Sequence, residues 1–192
     1  MQTFMSSLLC ALMLTTPSFN KALVSAAKAL EADTIYDPAY VKLDYPGGDV
    51  APDRGVCTDV IVRAYRGIGV DLQQQVHEDM CAHFDAYPAK RRYGQSSPDP
   101  NIDHRRVPNL DTFFERQKAS LTVTTNPSEY KPGDVVYWKI GSLDHVGMLI
   151  DERGPSGHWK VMHNMGWGQH AEDVLFAWDI KGHYRYKNAA SE

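Results

Sequence analysis

The spacing of apolar residues changes character once along this chain, and that change limits the folds open to it. Up to about residue 118 they recur at helical intervals: Leu23, Val24, Ala27 and Leu30, then Val60, Ile61, Ala64, Tyr65 and Ile68, then Leu72, Val76, Met80 and Phe84. Gly67 and Gly69 end the second run, and Asp71 stands where a helix N-cap belongs. A short helix from about Leu110 to Lys118, carrying Phe113 and Phe114, closes this half. Beyond the Pro132-Gly133 turn the pattern is that of strands, over Asp134 to Ile140, His145 to Asp151 and His158 to Asn164. Helices first and antiparallel strands afterwards predict an α+β fold. Two stretches lack periodicity. Tyr36 to Gly55 is crowded with turn formers, and Tyr87 to Pro108, rich in Pro, Ser and Arg, is long enough to read as a lid or groove wall rather than a connector.

The chain has 192 residues, 43% of them hydrophobic, and no internal repeat, which fits a single domain over 20–192. Twenty Lys and Arg against 24 Asp and Glu give a net charge of -4, so no overall basic field draws the protein to nucleic acid. No apolar run reaches the roughly 18–20 residues of a membrane helix. The stretch Leu8 to Leu14, broken by Thr15-Thr16-Pro17-Ser18, has the length of a secretory h-region, and residues 1–19 read as an export signal; a buried N-terminal helix is the alternative. Export implies a periplasmic or secreted protein. Leu9 before Cys10 argues against lipidation.

Three cysteines without a CxxC pair make neither a disulfide framework nor a zinc or thioredoxin motif. Cys57 stands out because Gly55-Val56-Cys57-Thr58-Asp59 places a thiol where loop becomes helix. Unpaired N–H groups there favour a thiolate and can bind an oxyanion. On position alone a structural cysteine, or a disulfide to Cys81, is the preferred reading. What shifts it is Asp144-His145-Val146-Gly147-Met148-Leu149-Ile150, an apolar strand opening with imidazole, in which Gly147 leaves room beside His145. The next strand offers His163 on one face and Asn164 on the other. A thiol nucleophile needs a base, and the base needs a third polar group to fix its tautomer. Cys57, His145 and either His163 or Asn164 supply these roles.

Read together, Tyr45-Pro46-Gly47-Gly48, Cys57 at a helix start, Pro132-Gly133-Asp134-Val135-Val136, His145-Val146-Gly147-Met148 and Val161-Met162-His163 resemble the NlpC/P60 papain-like peptidases. The resemblance implies helices packed on a small antiparallel sheet, and cleavage of an amide bond in the stem peptides of bacterial peptidoglycan. It implies Cys57 as nucleophile, His145 as general base and acid, His163 as the orienting member and Tyr45 as a substrate-pocket hydroxyl, with no cofactor. Cys57 to Arg66, Val76 to Met80 and Asn101 to Leu110 look more closely like a bacterial family known mainly as a domain of unknown function.

Other groups compete for attention. Asp59, two residues after the thiol, is a candidate substrate contact. Between Lys90 and Arg106, five Lys and Arg face two Asp, and Arg105 and Arg106 are the best candidates to receive a substrate carboxylate, against internal ion pairing. His77 and Cys81, one helical turn apart, with Asp79, Asp103 and His104, sketch a metal site that matches no zinc signature; a solvated or salt-bridged helix face is the preferred reading, and no metal is expected. Trp138, Trp159, Trp167 and Trp178 read as core or groove lining. The sequence therefore predicts an exported cysteine hydrolase, with a non-catalytic cell-wall or peptide-binding module of the same fold as the alternative.

Overall fold

The structure, a computed structural model, describes residues 18–30 and 33–187. Apart from Ser18 and Phe19, the export signal read over 1–19 lies outside the described residues. Among the described residues no helix is long and apolar enough to cross a membrane. Helix α1 (Phe19–Lys28) buries Leu23, Val24 and Ala27. Strands β1 (Ile35–Tyr36) and β2 (Arg54–Gly55) form a two-residue parallel pair inside the turn-rich segment, where composition predicted no regular structure. Then follow α2 (Cys57–Arg66), α3 (Leu72–His83), the single turn α4 (Ala89–Tyr93) and α5 (Val107–Arg116). The remaining strands are β3 (Val135–Ile140), β4 (Leu143–Arg153), β5 (Trp159–Asn164), β6 (Gln169–Glu172) and β7 (Asp179–Tyr184). They make one antiparallel sheet in the order β6-β5-β4-β3-β7. The fold is α+β, a layer of N-terminal helices on a small antiparallel sheet.

The α2 boundaries follow from local chemistry. Val56 offers no side-chain cap, and Asp59 in the first turn reaches back to accept the Val56 N–H at 2.7 Å. Asp71 caps α3 as its position predicts, accepting the Gln73 N–H. The sheet has two covered faces. Val135, Val146, Met148, Ile150 and Met162 share a cluster with Cys57, Val60, Ile61 and Ala64 of α2. Val136, Trp138, Leu149 and Val161 point the other way, beneath Tyr130, Leu175 and Trp178 from the connecting loops. This alternation is the period-2 geometry of a strand buried on both sides.

Strand β7 docks against β3 through Asp134, a fully buried carboxylate that accepts from His183 Nε2 at 2.8 Å, from Arg185 Nε at 2.6 Å and from the Lys131 N–H at 2.8 Å. Those donors hold its pKa below the ordinary carboxylate value although burial pushes the other way. The polar sequence of β6 and β7 hides both strands from a reading based on apolar runs.

Candidate functional site

A cavity of about 320 Å³ opens at the start of α2, lined by Tyr36, Cys57, Arg92, Tyr93, Arg106 and Asp144 among others. The non-periodic stretch 87–108 forms one wall, as its length predicts, and an ion pair between Arg92 and Asp144 ties that wall to β4. Cys57 is the first helical residue. The backbone N–H groups of Val146, Thr58 and Cys57 itself act on the sulfur in the sense that favours the thiolate. Burial outweighs them and pushes the thiol up to about 12, with the nearby Asp59 acting in the same sense. The thiolate that a helix start would favour is therefore not the resting form. Cys57 and Cys81 are both free thiols, so they form no disulfide.

His145 and His163 leave the sheet on the face away from α2. Nε2 of His145 meets Nδ1 of His163 at 2.9 Å, and the His145 ring lies between Trp138, stacked at 5.8 Å between centroids, and Trp178, edge-on at 6.0 Å. Burial, and then the neighbouring His163, lower the His145 pKa to about 3, so the ring is neutral. Glu172 Oε2 stands 2.9 Å from His163 Nε2, while burial lowers the His163 pKa and favours the neutral ring. A proton on His163 Nε2 leaves its Nδ1 to accept from His145 Nε2–H, and the lone pair of His145 then resides on Nδ1. Gly147 permits the packing: a Cβ there would stand 2.6 Å from Val161 Cγ1 and 3.1 Å from His163 Cβ. Strand parity therefore sets Cys57 and His145 on opposite faces of the sheet, neither His145 nor His163 lines the cavity, and no hydrogen bond joins the thiol to the imidazole, so the base expected beside Cys57 is not in reach of it.

Several site residues read from the sequence take other places. Asn164 does not reach His145; its amide donates to Thr34 at 3.1 Å and to the Gly55 carbonyl at 3.4 Å, bracing the backbone ahead of Cys57. Strand alternation sends it to the face opposite His163. Tyr45 is absent from the cavity and instead packs edge-on against His77 at 5.1 Å. The tyrosine at the thiol is Tyr36, whose pKa burial, Cys57 and Asp59 raise to about 12. Asp59 and Arg105 are engaged with each other, at 3.0 and 3.1 Å, and Arg105 also donates to the Ala39 and Asp37 carbonyls. Both are buried structural partners, unavailable to a substrate carboxylate. Arg106 is different: its guanidinium lies 4.1 Å over the Tyr93 ring and its Nε is buried without a partner.

Tyr36 and Asp144 escaped the sequence reading. Asp144 precedes the singled-out histidine, but its parity toward α2 is what brings it to the cavity, where it bonds Tyr137 at 2.5 Å and Lys139 at 2.9 Å. Trp167 is exposed rather than lining a groove. Among the described residues, no group of three or more His, Cys, Asp or Glu side chains is disposed to hold a metal ion.

Helices laid on an antiparallel sheet, with a thiol at a helix start facing a cleft and a histidine pair from β4 and β5 on the other face of the sheet, define an α+β protein with a candidate site at the thiol. Residues 23–186 match the family described as a domain of unknown function (DUF1287), and the chain belongs to that family. It is 49% identical over 169 residues to the uncharacterized protein YijF of Escherichia coli (strain K12), an alignment spanning 87% of this chain and 82% of that one. Two solved structures from Trichomonas vaginalis are similar in fold. NlpC1 has a TM-score of 0.49 at 12% identity over 90% of this chain and 46% of its own, and NlpC2 has 0.47 at 13% over 91% and 48%. The chain spans about half the length of each.

Proposed function

We propose that this protein is an exported bacterial cysteine hydrolase, an amidase or endopeptidase acting in the periplasm or outside the cell on an amide bond of peptidoglycan stem peptides. The observation that carries the reading is Cys57 at the start of α2, lining an open cavity. The motifs shared with NlpC/P60 peptidases supply the substrate class. In the reaction, Sγ of Cys57 attacks the scissile carbonyl carbon while its proton passes to Nδ1 of His145. The oxyanion is held by the N–H groups of the helix start. His145 then gives the proton to the leaving amine, and water releases the acid from the thioester and restores the thiol. His163 keeps His145 in the reactive tautomer, and Arg106 receives a substrate carboxylate.

At rest the thiol and imidazole are neutral and lie on opposite faces of the sheet, so the reaction requires β4 to rearrange and carry His145 to the cavity before proton transfer. The test is mass spectrometry of purified muropeptides incubated with wild type and Cys57→Ala. Fragments carrying one added water, formed by wild type alone, are the expected result. Cleavage that survives Cys57→Ala removes Cys57 from the mechanism. Binding without cleavage by either protein favours the second reading, a non-catalytic cell-wall or peptide-binding module, for which the unbonded Cys57 and His145 side chains speak.

A further inference from the structure

On the far side of α3, three residues that the proposed hydrolase does not use stand in a hydrogen-bonded row. Cys81 Sγ lies 3.5 Å from His77 Nε2, and His77 Nδ1 lies 2.8 Å from Asp103 Oδ2. Asp103 is fully buried and held in place by Gln95 at 2.7 Å and by the Asp99 N–H at 2.8 Å. Tyr45 covers one edge of the His77 ring. Cys81 itself is exposed. A carboxylate that fixes Nδ1–H of an imidazole leaves Nε2 to accept a proton, and here the atom facing Nε2 is a thiol.

We propose that Cys81, His77 and Asp103 form a second reactive thiol centre, a site of thiol–disulfide exchange with small soluble disulfides. The choice of reaction follows from what surrounds the sulfur. Cys81 sits inside α3, where backbone N–H groups are already engaged with carbonyls one turn back, so no donor pair is free to hold an oxyanion. Acyl transfer lacks its support there. Exchange at a disulfide forms no oxyanion and needs only an accessible thiolate and a proton acceptor. The Cys81 proton goes to His77 Nε2, the thiolate attacks one sulfur of R–S–S–R, the S–S bond breaks, and the departing thiolate takes a proton back from His77. The net change is Cys81–SH plus R–S–S–R to Cys81–S–S–R plus R–SH. Cys57, the other thiol among the described residues, is buried and cannot resolve the product, which therefore persists as a mixed disulfide.

The charges around the pair oppose one another. Burial, Asp103 and Glu78 raise the Cys81 pKa, Tyr45 approaches from the preceding loop, and the Asp99 carboxylate stands near the His77 ring. Protonated His77 is the group that stabilises the thiolate.

The experiment is reaction of the whole protein with glutathione disulfide at several pH values. Intact mass and peptide mapping assign the adduct, beside His77→Ala and His77→Gln with folding checked by circular dichroism. The expected adduct is one glutathionyl group on Cys81, with a rate inflection below the free-thiol value of about 8.5. The larger thiolate fraction at pH 7, less the weaker nucleophilicity that accompanies it, gives a reaction about threefold faster than that of a free thiol, lost in both variants. A wild-type inflection at the free-thiol value, or a profile unchanged by either folded variant, overturns the proposal. The outcome is independent of muropeptide cleavage, which reads Cys57 alone.

Discussion

Replacing Arg105 by Met tests whether the Asp59–Arg105 pair organises the floor of the cavity. Both side chains are almost wholly buried, at 2% and 3% exposure, and the guanidinium makes four hydrogen bonds, two to Asp59 and one each to the Ala39 and Asp37 carbonyls. Methionine fills most of the volume but leaves the Asp59 carboxylate with the Val56 N–H as its remaining hydrogen bond, and leaves both carbonyls without this donor. Removing one partner of a buried pair costs about 3–5 kcal/mol. At about 2–4 °C per kcal/mol for a chain of this size, the melting temperature should fall by roughly 6–20 °C in a calorimetric scan at pH 7. Neutralising the stranded charge, with Asp59→Asn in the same background, should recover part of the loss, because the larger share of the penalty is the unpaired carboxylate. The same change frees the Tyr36 to Ala39 segment, whose Tyr36 and Pro38 line the cavity beside Cys57, so a small thiol reagent should label Cys57 faster. A fall of less than about 3 °C, or a double variant less stable than Arg105→Met by the full cost of Asp59→Asn, would refute the reasoning.

Acid stability should carry the signature of buried neutral imidazoles. His104 is buried, its Nδ1 has no partner, and burial followed by the positive charges of Arg105 and Arg66 lowers its pKa to about 4. The unfolded chain takes up this proton near pH 6.5 while the fold refuses it until about 4, so stability is lost as pH falls through that window; His104→Phe should abolish about 3 kcal/mol of the loss in urea titrations at pH 6.5 and 4, and an unaltered slope contradicts it. Gly147→Ala should cost about 1–3 kcal/mol by crowding Val161 and His163, measured by chemical denaturation; a neutral result would mean that β5 shifts freely. If the hydrolase reading holds, Tyr36→Phe should lower kcat/KM by about tenfold, the worth of one hydrogen bond near the reacting thiol, while Tyr45→Phe leaves it unchanged; the opposite ranking would return the pocket hydroxyl to Tyr45.

Much of this architecture is legible before any coordinates. The α2 boundaries, the Asp71 cap, the three central strands and the wall formed by the long aperiodic segment all follow from interactions within a few residues: apolar period, cap chemistry and glycine stops. The strands β6 and β7 did not declare themselves, since neither carries an apolar run and β7 is recruited across the fold by the buried Asp134 with His183 and Arg185. The same limit applies to the site. Sequence pattern drew attention to Cys57 and His145, because a thiol at a helix start and an imidazole opening an apolar strand are local oddities, and left His163 and Asn164 as alternatives between which the NlpC/P60 resemblance chose His163. Which partners they meet was decided by long-range geometry. Strand parity put Asn164 on the opposite face from His163, a backbone segment 21 positions before Cys57 brought Tyr36 to the thiol in place of Tyr45, and Arg105 folded inward onto Asp59. Ionisation was decided there too: a helix start by itself favours a thiolate, whereas burial by the tertiary structure disfavours the charged forms and keeps both thiol and imidazole neutral.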